Sequence, residues 1–216
     1  PFVSRVPDDL VAYRRARRHV ARRVLRRIGL IGRRQTTERE FSTLFGFEKP
    51  NGTQQAFHDV VQTLKWPFVV ILESPPGEGK TEAVLWAYAQ LFRDKSRGLY
   101  FGLPTRTTGN SMFSRIAAFL QKLIGEDDDT ELHVLYGEAA FNSDYAALRL
   151  RTVDQFGSDS HAGAHASSWF VGKKRALLAE HGVGTIDQAM LAVLSVKHFF
   201  VRLFALSDKL VVIDEV

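Results

Sequence analysis

The chain has 216 residues, 45% hydrophobic and 25% charged, with a formal net charge of +5; this supports one or two domains with a buried core and excludes disordered and collagen-like chains. It contains no Cys, which excludes disulfide frameworks, thiolate metal sites and cysteine nucleophiles. No apolar run approaches a membrane span and no secretory leader pattern opens the chain, so a soluble cytoplasmic protein without a membrane partner is expected.

In chain order, the first feature is a concentration of charge. The first 40 residues hold 12 Arg and no Lys against 4 acids, a local +8 that leaves −3 on the remaining 176. Between Tyr13 and Arg27 the Arg pairs alternate with an apolar stripe of Val20, Val24 and Ile28, with Leu25 beside them. That spacing predicts an Arg-studded amphipathic helix, which suits either nucleic acid or a solvated element packing its stripe on a neighbour. The composition then becomes globular, which places a boundary near residue 45: residues 1–45 as an Arg-rich helical connector, residues 46–216 as the main domain.

Phe68-Val69-Val70-Ile71-Leu72 reads as a strand of the kind buried on both faces of a parallel sheet. Thr81 to Phe92 has helical periodicity, Gly98 to Leu103 reads as a second strand, and Thr107 to Ile124 as a second amphipathic helix. An acidic turn at Gly125 to Asp129 precedes a strand at Glu131 to Tyr136. Gly157 to Ser168 reads as a long surface loop, Ile186 to Leu194 as a helix and Lys209 to Ile213 as a last strand. This alternation predicts an α/β domain whose mostly parallel sheet is flanked by helices.

Directly after the first predicted strand stands Ser74-Pro75-Pro76-Gly77-Glu78-Gly79-Lys80-Thr81. A phosphate-binding loop needs glycines so that backbone N–H groups curl around phosphate oxygens, and a helix N-terminus for its dipole. It also needs a Lys for the β- and γ-phosphates and a hydroxyl for Mg2+. Gly77, Glu78, Gly79, Lys80 and Thr81 supply these parts, with Ser74 where the usual first Gly would be. The last predicted strand ends in Asp214-Glu215, where Asp214 would hold Mg2+ and Glu215 would orient or deprotonate a water attacking ATP.

Two weaker signals lie after other elements. Thr105 and Arg106, in Pro104-Thr105-Arg106-Thr107-Thr108, open a helix and suit either a nucleic-acid backbone or an ordinary cap. Thr185, in Gly184-Thr185-Ile186-Asp187-Gln188, poses the same choice. His58-Asp59 lacks the further ligands a metal site needs, His161 and His165 read as exposed, and Trp66, Trp86 and Trp169 read as packing residues.

The phosphate loop, Pro104 to Thr108 and the strand ending Asp214-Glu215-Val216 together resemble motifs I, Ia and II of superfamily 2 helicases. Three stretches, Leu103 to Phe113, Ser168 to Leu178 and Val183 to Ala189, resemble more narrowly the CRISPR-associated helicase-nucleases of type I interference. The resemblance covers about residues 45 to 216. It implies a RecA-like motor domain, cut within motif II, that binds ATP and Mg2+ and moves 3′-to-5′ on single-stranded DNA. Gln54 or Gln55 would read the adenine. It further implies a parent protein with a second RecA-like domain and an HD nuclease domain, recruited by a crRNA-guided surveillance complex.

ATP turnover in such motors is completed across a cleft between two domains, so this chain by itself is expected to hydrolyse little ATP and unwind nothing. An incompletely supported sheet predicts poor solubility. The alternatives are a RecA-like domain of another superfamily 2 DNA or RNA helicase, and a nucleic-acid-binding interaction module without ATPase activity.

Overall fold

The computed structural model describes residues 9–27, 39–92, 96–124, 129–135, 163–165 and 175–214. Helix α1 (Leu10–Arg27) is followed by α2 (Phe41–Phe45), α3 (Gly52–Thr63) and α4 (Lys80–Ala87), the last running on into a π-helical turn at Tyr88–Phe92. Then come β1 (Leu99–Leu103), α5 (Arg106–Ile124), β2 (Asp129–Leu135) and β3 (Gly163–His165). A 3-10 turn at Ala176–Leu178 leads to β4 (His181–Thr185), α6 (Ile186–Met190), α7 (Phe199–Leu206) and β5 (Leu210–Ile213).

The five strands form one sheet in the order β3-β2-β4-β1-β5, and every pairing is parallel. Parallel strands must be covered on both faces, so β1 is buried at all five positions, with Leu99, Tyr100 and Phe101 almost wholly enclosed. Helix α5 turns Phe113, Ile116, Phe119, Leu120 and Leu123 into the same core, which α2 joins through Leu44 and the partly buried Phe45. Each fully buried Leu, Ile or Phe contributes about 1.5–3 kcal/mol.

Strand β4 is the unexpected member. Its sequence, His181-Gly182-Val183-Gly184-Thr185, is poor in strand formers, yet it lies between β1 and β2. The glycines make room for a neighbour. A Cβ on Gly184 would stand 2.5 Å from the Tyr100 hydroxyl, which donates to Thr185 O at 2.8 Å. On the strand's other end, His181 Nε2 bonds the Tyr88 hydroxyl at 2.8 Å in the buried interior.

The structure departs from the expected elements in several places. Residues 68–72 form no strand: Phe68 and Val70 pack partly on the core, but Val69 is 92% and Ile71 81% exposed. A strand of this kind needs a hydrogen-bonded neighbour and a cover on each face, and these residues are not a member of the five-stranded sheet. Residues 163–165, expected in a loop, pair with β2. The helix expected to reach Leu194 stops at Met190, and Phe199–Leu206 adds a helix that was not expected. The remainder of that loop, including His161, lies outside the described residues, as do Trp169, Tyr136 and Gly125 to Asp128 of the acidic turn. Among the described residues no helix is long and apolar enough to cross a membrane.

Candidate functional site

The phosphate loop is held from behind by the first turn of α3. Asn51 caps that helix and exchanges reciprocal bonds with Gln54: Gln54 N–H donates to Asn51 Oδ1 and Asn51 N–H donates to Gln54 Oε1, both at 2.9 Å. This leaves the two amide nitrogens aimed at the loop. Asn51 Nδ2 donates to Glu78 O at 3.1 Å and Gln54 Nε2 to Gly79 O at 3.3 Å. Because a trans peptide sets its N–H opposite the preceding carbonyl, fixing these two carbonyls turns the N–H groups of Gly79 and Lys80 the other way.

Gly79 has a left-handed φ of 72° and is followed at once by α4, whose first residue is Lys80. A Cβ at Gly79 would lie 2.3 Å from Gln54 Nε2, so a side chain there would push the Gln54 amide off the loop, while the left-handed dihedral is what favours glycine. Lys80 Nζ donates to Ser74 O at 2.6 Å and to Pro75 O at 3.2 Å, folded back across the loop. Ser74 Oγ is buried without a hydrogen-bond partner among the described residues, an orphaned polar atom at the loop's entrance that a ligand oxygen would satisfy. Thr81 is half-buried in the first turn of α4, and the next residue, Glu82, forms an ion pair with Arg115 that ties α4 to α5. Glycines, a helix N-terminus, a cation and a hydroxyl are thus gathered as phosphate binding requires.

Of the two glutamines, Gln54 is the one against the loop. Gln55 is exposed and donates to Asp59 at 2.7 Å, along α3 and away from Gly79.

The other candidates line the carboxyl ends of neighbouring strands, where open α/β sheets carry their ligand sites. Thr105 lies two residues beyond β1 and accepts the Gly109 N–H through its carbonyl at the start of α5. Thr185 ends β4 opposite Leu103, and although it is the N-cap of α6 its hydroxyl makes no capping bond. Asp214 follows β5 and donates its N–H to Gly102 O at 3.0 Å. Arg106 opens α5, but its side chain lies outside the described residues, as does the whole of Glu215.

Two residues that sequence reasoning passed over matter here. Asn51 was legible through its Asn-x-x-Gln capping-box spacing. Lys209 carried no such signal: it is buried at the start of β5, donating to Leu177 O at 2.8 Å and also to Ala179 O. Burial, and then the nearby Arg97, lower its pKa to about 7 against a partial offset from Glu180. Burial and then Asp187 push the Tyr100 phenol above its ordinary range, so it stays a donor to Thr185 O. Of the aromatic side chains, Trp86 packs edge-on against Phe41 and stacks on His58 with centroids 4.2 Å apart, and Trp66 packs edge-on against Phe68.

No family model matches the chain. It is 43% identical over 200 residues to the CRISPR-associated endonuclease/helicase Cas3 of Thermus thermophilus, covering 91% of this chain and 22% of that protein. It is 36% identical to Cas3 of Streptococcus thermophilus over 80% of this chain and 19% of the relative. Among solved structures, T. fusca Cas3 with AMPPNP aligns at 32% identity and a TM-score of 0.69, covering 91% of this chain and 21% of that one. The ADP form of T. fusca Cas3 aligns at 32% identity and a TM-score of 0.70, over 96% and 23%. The chain therefore spans about a fifth of the length of these relatives.

Proposed function

We propose, from the premise that the chain belongs to the CRISPR-associated Cas3 nuclease/helicase family as one segment of it, that it is the ATP-binding first motor domain of a single-stranded-DNA translocase. The observation that carries the reading is the loop around Gly79, where α3 braces two successive carbonyls so that the Gly79 and Lys80 N–H groups face away from it, at the start of α4. Gly77, Glu78 and Gly79 form the cradle. Lys80, released from the Ser74 and Pro75 carbonyls, reaches the β- and γ-phosphates.

Thr81 and Asp214 are the oxygen donors assigned to Mg2+, a hard cation suited to hydroxyl and carboxylate ligands. Bound there, it would neutralise charge developing on the transferred phosphoryl group. Glu215 orients or deprotonates the attacking water. Gln54 is assigned to the nucleotide in preference to Gln55 because it touches the loop. Thr105, Arg106 and Thr185 are assigned to the DNA backbone; for Thr185 the support is a hydroxyl that does not cap its helix.

In the parent protein, a second RecA-like domain would complete the ATP site and an HD domain would degrade the strand. A crRNA-guided surveillance complex would deliver the DNA, in the cytoplasm. This chain by itself would bind nucleotide and turn it over little.

Lys80→Ala in the intact parent should abolish ATP-driven DNA degradation, and in this chain should weaken binding of a fluorescent ADP analogue at least tenfold. Unchanged degradation would overturn the assignment.

A further inference from the structure

Away from the phosphate loop, positive charge concentrates on α1. Residues 10–27 contain eight Arg and no acid. Asp9, which adjoins the helix, is spent on its N-terminus: its carboxylate accepts from the Val11 and Ala12 N–H groups at 2.8 and 3.0 Å. Arg17 lies over the Tyr13 ring at 5.2 Å. Arg15, Arg18 and Arg22 are exposed, three and four residues apart on one face, so a guanidinium recurs about every 5.4 Å along the axis. Among the described residues none pairs with them, and α1 meets the rest of the described fold through isolated contacts at most.

We infer that the Arg15–Arg18–Arg22 row is a binding site for the phosphate backbone of single-stranded nucleic acid, separate from the strand contacts assigned to Thr105, Arg106 and Thr185. Three features favour phosphodiester over other anionic partners. First, every cation of the helix is Arg, whose planar fork engages phosphate oxygens through two parallel bonds, and none is the Lys that a diffuse charge cloud would serve equally well. Second, the row is regular and carries no apolar anchor between its members, which suits a repeating charge and not the pocketed side chains of a folded protein partner. Third, the helix lacks the continuous apolar face a lipid surface needs: Leu10 and Val20 are exposed away from the row but the charged Arg17 falls between them, Val11 is exposed on the row's own side, and no Trp or Phe is present. The site is independent of the nucleotide-binding reading, since no α1 residue touches the phosphate loop in any bond described.

The test is fluorescence anisotropy of this 216-residue chain with a fluorescein-labelled 20-nucleotide oligo(dT), without ATP, across a series of salt concentrations. Binding to single strands loses about 0.7 in the log–log salt slope per neutralised phosphate. The triple variant Arg15→Gln/Arg18→Gln/Arg22→Gln should therefore lower the slope by about 2 and weaken binding at least tenfold at 0.1 M salt. The triple Lys variant at the same positions should keep the slope while binding less tightly, which separates lost phosphate contacts from a lost helix. Helical content by circular dichroism should be the same in all three proteins.

Binding of the fluorescent ADP analogue should be unchanged by the Gln substitutions, and oligo(dT) binding should survive Lys80→Ala; failure of nucleotide binding alone would thus strike the motor assignment and leave this site standing. An unchanged salt slope in the Gln variant overturns the inference. So does a chain that ignores oligo(dT) but binds phosphatidylserine vesicles through the same arginines.

Discussion

Strand β1 and the segment 68–72 have similar apolar sequences and opposite fates. Leu99 to Leu103 is buried at every position between β4 and β5, whereas Phe68 to Leu72 forms no strand and turns Val69 and Ile71 outward. Composition does not separate them; the availability of neighbours does. The phosphate loop follows this exposed segment, and the Asn51–Gln54 turn of α3 holds it through the Glu78 and Gly79 carbonyls. The loop is thus braced by side chains of α3 that lie 27 and 25 residues away in sequence, while the segment that precedes it forms no strand.

The largest effect is expected from cutting into the paired region. Phe101, 1% exposed at the centre of β1, should cost about 3–5 kcal/mol when replaced by Ala, through lost transfer energy and the cavity left behind. Urea denaturation of this chain would measure it. A loss below 1 kcal/mol would mean that the sheet core is not what holds the domain.

The paired region should also carry a pH signature through Lys209. Its pKa is about 7 when folded and ordinarily near 10.4, so between these values the unfolded chain binds more protons and stability rises with pH. The slope is at most about 1.4 kcal/mol per pH unit. The gain is complete only above the unfolded pKa of about 10.4, where the raised Tyr100 phenol works in the opposite direction, since the unfolded phenol ionises first. Lys209→Met should flatten the rise between pH 7 and 10 in denaturation midpoints; a wild-type curve that is already flat would place the ammonium in water.

Much of this was legible from the sequence, and the misses have physical causes. β1, α5 and β5 show their period within a few residues, and the phosphate loop declares itself by Gly77, Gly79, Lys80 and Thr81. β4 does not, because the sheet selects Gly182 and Gly184 for the space that Tyr100 and Leu135 occupy, a requirement set by residues far away in the chain. α7 escapes a periodicity reading because Phe199 to Leu206 has only Arg202 as a polar residue. The error at 68–72 runs the other way: an apolar run predicts that a strand is possible, and says nothing about whether a partner is present.

Beside the exposed segment, the brace is the point to break. Asn51→Ala removes the cap of α3 and the bond to Glu78 O together, so about 1 kcal/mol of stability should be lost. Affinity for a fluorescent ADP analogue should fall by more than this thermal destabilisation implies, because the loop carbonyl is freed as well. Asn51→Asp separates the two effects: it keeps an N-cap oxygen but cannot donate to Glu78 O, so stability should recover while affinity does not. Recovery of both would assign the brace to Gln54 alone.

The smallest effect should come from the exposed segment itself, and its smallness is informative. Val69→Thr/Ile71→Thr removes apolar surface that already faces solvent, so the stability of this chain should change by no more than about 0.5 kcal/mol. Its aggregation, followed by light scattering against concentration, should fall, because exposed apolar side chains favour self-association. A loss of several kcal/mol would instead mean that residues 68–72 are buried in solution as a strand, and the contrast with β1 would disappear. In the intact parent the same pair of substitutions should be costlier than in this chain if further polypeptide covers the segment, which makes the difference between the two measurements a direct reading of that cover.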